Sequence, residues 1–118
     1  MDKETFKART KSFALRVMNM IDNLPNNTKG RIIADQIMRS ATSVAANYRA
    51  ACRGRSRAEF ISKLGTVLEE ADETGLWLEL IADDGLLPRK RISPLLREAE
   101  ELCAIVFSAQ RSARANPK

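Results

Sequence analysis

The 118-residue chain contains no histidine. Histidine is the side chain whose ordinary pKa lies closest to neutral pH, and it is the commonest metal ligand in proteins. Its absence excludes His-based acid–base catalysis and His-containing metal sites. It also argues against a di-iron carboxylate bundle, because the Glu-x-x-His motif of such bundles needs a histidine.

Cysteine is nearly as scarce. The two cysteines, Cys52 and Cys103, lie far apart and do not have the close spacing of zinc ligands. The N-terminal residues do not resemble a secretory signal peptide, so we expect reduced core thiols in a cytoplasmic protein. Nothing in the sequence predicts a cofactor or a bound metal.

Long apolar runs and aromatic residues are also lacking. No stretch approaches the roughly 20 apolar residues that span a bilayer, so we expect no membrane partner. Aromatic residues make up 5% of the chain and hydrophobic residues 44%, so the core must consist mainly of Leu, Ile, Val, Met and Ala. The length predicts a single domain, residues 1–118, that buries about two thirds of its unfolded surface.

Apolar residues recur at helical spacing in four segments. They predict helices over about residues 5–23, 29–53, 56–84 and 94–113. Ser56 and Glu59 form a capping-box pattern at the third helix, and Ser93-Pro94 is predicted to open the fourth. Long helices with short connections predict an all-α, antiparallel up-down-up-down four-helix bundle.

The third helix carries a second apolar stripe about a quarter-turn from its main one. Its members are Ile61, Gly65, Leu68 and Leu76. One helix of a monomeric bundle needs only one apolar stripe. The second stripe therefore predicts contact with another helix of the fold or with another subunit, and these four residues are the candidate oligomer interface.

A row of arginines lies opposite the apolar face of the second helix. The row consists of Arg31, Arg39, Arg49 and Arg53, and Arg55 and Arg57 extend it. A guanidinium group donates two hydrogen bonds to a phosphate at once, and the net charge of +5 permits an anionic partner. The row predicts salt-dependent binding of RNA or DNA with little sequence preference, because no aromatic residue interleaves it.

Two other readings of these charges compete with nucleic-acid binding. In the first, the arginines are solvated or pair with carboxylates of the third helix, and the protein is a scaffold for a protein client. In the second, Glu70-x-x-Glu73 and Glu98-x-x-Glu101 face each other and hold Mg²⁺, as in a metal-dependent nucleotide hydrolase. Both pairs lie off the apolar stripes, so we expect no enzyme.

Two aromatic residues of the central helices have predicted structural roles. Tyr48 lies on the core stripe of the second helix and is expected to form a hydrogen bond at one end of the bundle. Trp77 lies beside the acidic side of the third helix, where a packing role is expected.

The central stretch Gln36–Leu80 resembles the 23S rRNA-intervening sequence protein family. The resemblance is carried by Gln36-Ile37-Met38-Arg39-Ser40-Ala41, by Ser43-Val44-Ala45-Ala46-Asn47-Tyr48, by Glu59-Phe60 with Leu64, by Leu68-Glu69-Glu70-Ala71 and by Trp77-Leu78-Glu79-Leu80. Where the family usually reads Asn-Ile-Ala-Glu-Gly, this chain has Asn47-Tyr48-Arg49-Ala50-Ala51, which indicates a subgroup.

The resemblance implies a bacterial, cytoplasmic four-helix bundle that assembles into a ring-shaped homopentamer. It also implies kinship with the accessory variability determinant of diversity-generating retroelements, a basic pentameric bundle that binds nucleic acid and its reverse transcriptase. No catalytic residue is implied, because most members of the family have no established activity.

Overall fold

The computed structural model describes residues 2–115, which form four α-helices and contain no strand. The helices are α1 (Lys3–Ile21), α2 (Thr28–Cys52), α3 (Arg57–Asp83) and α4 (Arg89–Ala115). The predicted all-α four-helix bundle is therefore confirmed.

Contacts between helices show that neighbours in sequence run in opposite directions. Lys29 near the start of α2 lies 3.1 Å from Asp84, just past the end of α3. Further along α2, the Ser40 hydroxyl lies 2.8 Å from the hydroxyl of Thr74, which comes earlier in α3. Both hydroxyls are fully buried. A buried polar pair of this kind favours one register between two helices, because a slip would leave both groups without a partner.

The core is mostly aliphatic, as the composition predicts. Fully buried aliphatic side chains come from all four helices: Val17, Ile37, Val44, Leu64, Val67, Leu78, Leu102 and Val106. Phe13 and Tyr48 are the largest fully buried side chains, and the Tyr48 ring packs edge-on against Phe6 with 4.7 Å between ring centroids.

The predicted cap at the start of α3 is confirmed. The Ser56 hydroxyl accepts from the Glu59 backbone N–H at 3.1 Å, and the Glu59 carboxylate accepts from the Arg55 N–H at 3.0 Å. The return bond of the capping box thus falls one residue earlier than the standard pattern. At the other end, Gly85 takes a left-handed conformation with φ 71° and stops the helix.

The prediction that Ser93 caps α4 is wrong. The helix begins at Arg89, and the Pro88 carbonyl accepts backbone N–H groups of the first turn at 2.9 and 3.3 Å. Pro94 lies inside the helix, where it removes one backbone hydrogen bond and its ring crowds the carbonyl four residues earlier. The earlier start gains a full turn and brings Ile92, which is 1% exposed, into the core.

We predict opposite effects for two glycine-to-alanine substitutions. A Cβ atom on Gly30 would lie 1.8 Å from the Pro25 carbonyl oxygen, so Gly30→Ala must displace the loop between α1 and α2. We expect a loss of about 1–3 kcal/mol in the free energy of unfolding. A Cβ on Gly75, in the middle of α3, would make an ordinary contact of 3.9 Å with Leu96. Gly75→Ala should therefore stabilise the protein by about 0.5–1 kcal/mol, the helix-interior difference between the two residues.

Urea unfolding followed by circular dichroism measures both changes. A Gly30→Ala protein as stable as the wild type would show that the loop and the start of α2 are not in close contact.

Candidate nucleic-acid interface

The six arginines predicted to bind nucleic acid do not form one continuous surface. An α-helix rises about 1.5 Å per residue, so Arg31 and Arg53 lie about 33 Å apart along α2. Arg31 lies at the end of the molecule where α2 begins, and its guanidinium donates to the Asn26 side chain at 3.3 Å. The last four arginines lie at or beyond the other end of the same helix.

Arg39, in the middle of the row, is paired within the chain. Its Nη1 lies 3.1 Å from Glu70 Oε1, and its Nη2 donates to Glu73. Trp77 donates its indole N–H to the same Glu73 carboxylate at 3.1 Å, in keeping with the predicted packing role. The bonds from Arg39 and then from Trp77 hold the pKa of Glu73 below its ordinary value. Arg39 thus links α2 to α3. For this residue, the structure agrees with the alternative interpretation in which the arginines pair with carboxylates of the third helix.

The remaining four arginines of the row lie at the same end of the bundle as cations of α1 and α4. Arg49 and Arg53 lie in the last turn and C-cap of α2, Arg55 lies in the turn, and Arg57 begins α3. Lys3 of α1 stands over the ring of Phe60 in α3, 5.0 Å from its centroid. The last turns of α4 add two more arginines. We call this group the basic end: Lys3, Arg49, Arg53, Arg55, Arg57, Arg111 and Arg114.

Most cations of the basic end have no acidic partner. Within residues 2–115, the group forms one ion pair, in which Arg55 lies 3.6 Å from Glu59. Two of the arginines, Arg49 and Arg114, stand in the last turns of α2 and α4. Cations there are stabilised by the negative end of the helix dipole.

Sequence reasoning missed the contribution of α1 and α4 to this group. Lys3, Arg111 and Arg114 are far from α2 in the chain, and antiparallel packing brings them to its C-terminal end. The sequence feature that indicates this contribution is the pair Arg111 and Arg114 near the end of α4.

The two carboxylate pairs do not converge. On α4, Glu98 and Glu101 both bond to Arg9 of α1, each at 2.8 Å. On α3, the pair formed by Glu70 and Glu73 faces Arg39 of α2. The pairs therefore lie on opposite seams of the bundle, α1–α4 and α2–α3. Within the described residues, no group of three or more Cys, Asp or Glu side chains is placed to hold a metal ion.

The first two residues of the second apolar stripe of α3, Ile61 and Gly65, face α4. Gln110 of α4 donates to the Ile61 carbonyl at 3.2 Å, and a Cβ on Gly65 would lie 3.3 Å from the same amide nitrogen. Leu68 packs against the core. Leu76 is different, because half of its side chain is exposed.

The predicted hydrogen bond of Tyr48 is not formed with any oxygen or nitrogen atom of residues 2–115, although the side chain is fully buried. Burial raises the pKa of the Tyr48 hydroxyl, and so does its weak interaction with the Cys52 thiol, a poor hydrogen-bond partner one turn further along α2. Cys52 and Cys103 are both free and half-buried, and burial raises the pKa of the Cys103 thiol.

The fold and its surface define a four-helix bundle in which six cations at one end have no acidic partner within residues 2–115. Residues 4–108 match the 23S rRNA-intervening sequence protein family, and the chain belongs to this family. Its fold is similar to a crystal structure from Bacteroides thetaiotaomicron, of a protein with unknown function from the S23 ribosomal protein family. The two chains are 34% identical with a TM-score of 0.86, over 94% of this chain and 99% of the other.

Among curated proteins, none matches this chain. In the part of the chain that the structure describes, no helix has the length and apolar character needed to cross a membrane.

We predict that the Arg9 pairing makes stability depend on pH in the acid range. Arg9 holds the pKa of Glu98 below its ordinary value. The pairing therefore stabilises the fold above the unfolded-state pKa of about 4.3, and this stabilisation is lost as pH falls through the lower folded-state pKa. Arg9→Met should lower the free energy of unfolding at pH 7 by about 1–2 kcal/mol, since these charges are only partly buried.

The measurement is urea unfolding of both proteins at several pH values from 7 to 2. The difference in free energy of unfolding between the two proteins should decrease below about pH 4, where glutamate becomes protonated. Lys11→Met removes an exposed α1 cation that forms no ion pair within the described residues, so it should change stability little at any pH. A gap that stays constant from pH 7 to pH 2 would contradict the assignment.

Proposed function

We propose that the protein is a non-enzymatic homo-oligomeric bundle that binds nucleic acid through the phosphates. The observation that supports this most is the basic end, where six cations from all four helices have no acidic partner within residues 2–115. The structure changes the predicted contact set: Arg39 is occupied by α3, Arg31 lies at the opposite end, and Lys3, Arg111 and Arg114 join.

The chemistry of the basic end suits phosphates more than bases. Each phosphate that a cation neutralises releases condensed counterions, so affinity falls with salt. Four contacts per subunit predict a loss of about 50- to 150-fold between 50 and 200 mM salt, the lower value for single strands. One exposed aromatic ring, Phe107, lies near Arg111, and one ring is not a platform on which successive bases stack. We therefore propose binding with little sequence preference.

RNA, or a complex that contains RNA, is the partner that we propose. This part of the proposal rests on the resemblance to the accessory protein of diversity-generating retroelements, and so does a cytoplasmic location.

We predict that Arg49→Glu/Arg53→Glu abolishes binding of RNA at 50 mM salt and leaves the helical content unchanged. Both residues are exposed and unpaired within the described chain, so the fold should not depend on them. Arg31→Glu/Lys90→Glu makes the same change in net charge at the opposite end, and it should weaken binding only slightly. The measurement is fluorescence anisotropy with a labelled single-stranded RNA and with duplex DNA, at salt concentrations from 50 to 300 mM.

Three results would contradict the nucleic-acid proposal. The wild-type protein binds neither RNA nor DNA at 50 mM salt, the affinity does not depend on salt, or the two double variants lose affinity equally. The last result would mean that net charge, and not the basic end, determines binding.

For the assembly we propose a homopentamer, supported by apolar side chains that the single chain leaves exposed. Ile32 of α2 is 55% exposed, and Leu76 and Leu80 of α3 are 50% and 39% exposed. The antiparallel register that joins Ser40 to Thr74 places Ile32 beside the stretch of α3 that carries the two leucines. A further copy of the chain would remove this surface from water.

We predict a mass of about 66 kDa in solution, which is five chains of 13.2 kDa. Leu76→Glu should lower the mass, because it places a charge in the proposed interface. Leu15→Glu alters an equally exposed leucine on α1 and should leave the mass unchanged. Light scattering measures both. A wild-type mass of 13 kDa would refute the assembly, and equal effects of the two substitutions would refute the proposed interface.

The alternative of a protein-interaction scaffold is favoured by the same exposed side chains and by the internal pairing of Arg39. It would hold if the protein bound no nucleic acid and Leu76→Glu left the mass unchanged but abolished capture of a protein client.

A further inference from the structure

A cleft opens at the basic end because α1 is too short to cover it. Arg9 of α1 lies beside Glu98 and Glu101 of α4. The lengths of the two helices beyond this contact can therefore be compared. At about 1.5 Å per residue, α1 continues for about 9 Å to Lys3, whereas α4 continues for about 21 Å to Ala115. The cleft lies beside the part of α4 that extends beyond the start of α1, and it has a volume of about 910 Å³.

The walls of the cleft are apolar and its rim is polar. Phe60 of α3 and Ile105 and Ala109 of α4 supply apolar surface. The small side chains of α4 in this stretch leave the space unfilled. Lys3 and Arg57 stand at the cleft as well, together with hydroxyl groups such as that of Ser56. A volume within the 300–1,000 Å³ range, apolar walls and a few polar groups are the usual features of a small-molecule site.

Tyr48 gives a second, independent indication of a ligand. It lines this same cleft, its side chain is fully buried, and its hydroxyl has no oxygen or nitrogen partner within residues 2–115, only the weakly interacting Cys52 thiol. Buried hydroxyl groups are nearly always hydrogen-bonded, because an unsatisfied one costs free energy. A ligand oxygen in the cleft would supply the missing acceptor.

The charges around the cleft favour an anion. Neither Lys3 nor Arg57 forms an ion pair within the described residues. Arg57 is also the first residue of α3, where the helix dipole is positive. The opposing charges are Asp2 and Glu4 at the start of α1 and Glu59 beside Gly54 of the cleft. The Asp2 carboxylate accepts from the N–H and hydroxyl of Thr5, and the Glu59 carboxylate accepts from the Arg55 N–H and pairs with its guanidinium.

We propose that this cleft binds a small amphipathic organic anion, such as a medium-chain carboxylate. The head group lies between Lys3 and Arg57, the apolar body lies against Phe60 and Ile105, and a ligand oxygen accepts from the Tyr48 hydroxyl. The site shares Lys3 and Arg57 with the basic end, whereas Arg49 and Arg53, whose substitution tests nucleic-acid binding, do not line the cleft.

The proposal is tested with decanoate as the probe. Isothermal titration of the full chain should show one site per chain for decanoate and no binding of decyltrimethylammonium, which has the same tail and the opposite charge. Arg57→Gln should weaken decanoate about tenfold, the equivalent of one charge-assisted hydrogen bond. Arg31→Gln, at the far end of the bundle, should leave the affinity unchanged.

Tyr48→Phe separates a ligand contact from a structural role. It removes a buried hydroxyl that lacks an oxygen or nitrogen partner within residues 2–115, so the free protein should be at least as stable as the wild type. Decanoate should nevertheless bind about tenfold more weakly, as expected for one lost hydrogen bond. Ser108→Trp, at an exposed residue on the wall, should block the cleft and abolish binding without unfolding the protein.

Cys52 lines the cleft and reports on its occupancy. In a Cys103→Ser protein it is the single thiol, and saturating decanoate should slow its alkylation by iodoacetamide at least fivefold. Three results would overturn the proposal: decanoate neither binds nor protects, both probes bind equally, or Ser108→Trp has no effect. A thiol that is protected without decanoate and becomes reactive on dilution would also overturn it, because a second copy of the chain would then fill the cleft.

Discussion

Antiparallel packing of four helices of unequal length is the constraint on which both candidate sites depend. Alternating direction places the start of α1, the end of α2, the start of α3 and the end of α4 together. This arrangement collects cations that are far apart in the chain into the basic end. Because α1 has 19 residues and α4 has 27, the same end also has the cleft.

The register of this packing is fixed by polar contacts on both of the seams that carry ion pairs. Arg9 joins α1 to α4, Arg39 joins α2 to α3, and the buried hydroxyl groups of Ser40 and Thr74 add a second link to the α2–α3 seam. Apolar stripes alone permit a helix to slide, since Leu, Ile and Val substitute for one another with small cost. The arginines that bind carboxylates therefore specify the fold, and those that remain unpaired are available for a partner.

The sequence predicts the helices, the bundle and the family because these depend on local patterns. Apolar periodicity locates each helix, and the Ser56 cap and the Gly85 stop are read from neighbouring residues. The sequence places the start of α4 too late, because Ser93-Pro94 is a strong local signal for a helix start. Burial of Ile92 outweighs that signal, and burial becomes visible only when the other helices are in place.

The candidate sites were less predictable for the same reason. Whether an arginine is paired depends on which residue of another helix lies opposite, and Gln110, which faces Ile61 and Gly65, carries no sequence signal for that contact. The surroundings of the Tyr48 hydroxyl are likewise a property of packing. An amphipathic side chain on a core stripe predicts a partner, and only the structure shows that no oxygen or nitrogen partner is present within the described residues.

The distribution of charge along α3 explains why some arginines of α2 are paired and others are not. Arg39 lies opposite Glu70 and Glu73, within the acidic middle of α3. Since α2 and α3 run in opposite directions, a residue ten positions further along α2 lies about ten positions earlier in α3. Arg49 is therefore opposite the stretch around Lys63, where α3 has no carboxylate between Glu59 and Glu69. One row of arginines thus serves two purposes: carboxylates bind it at the centre of the bundle, and at the end it meets further positive charge that an anionic partner would neutralise.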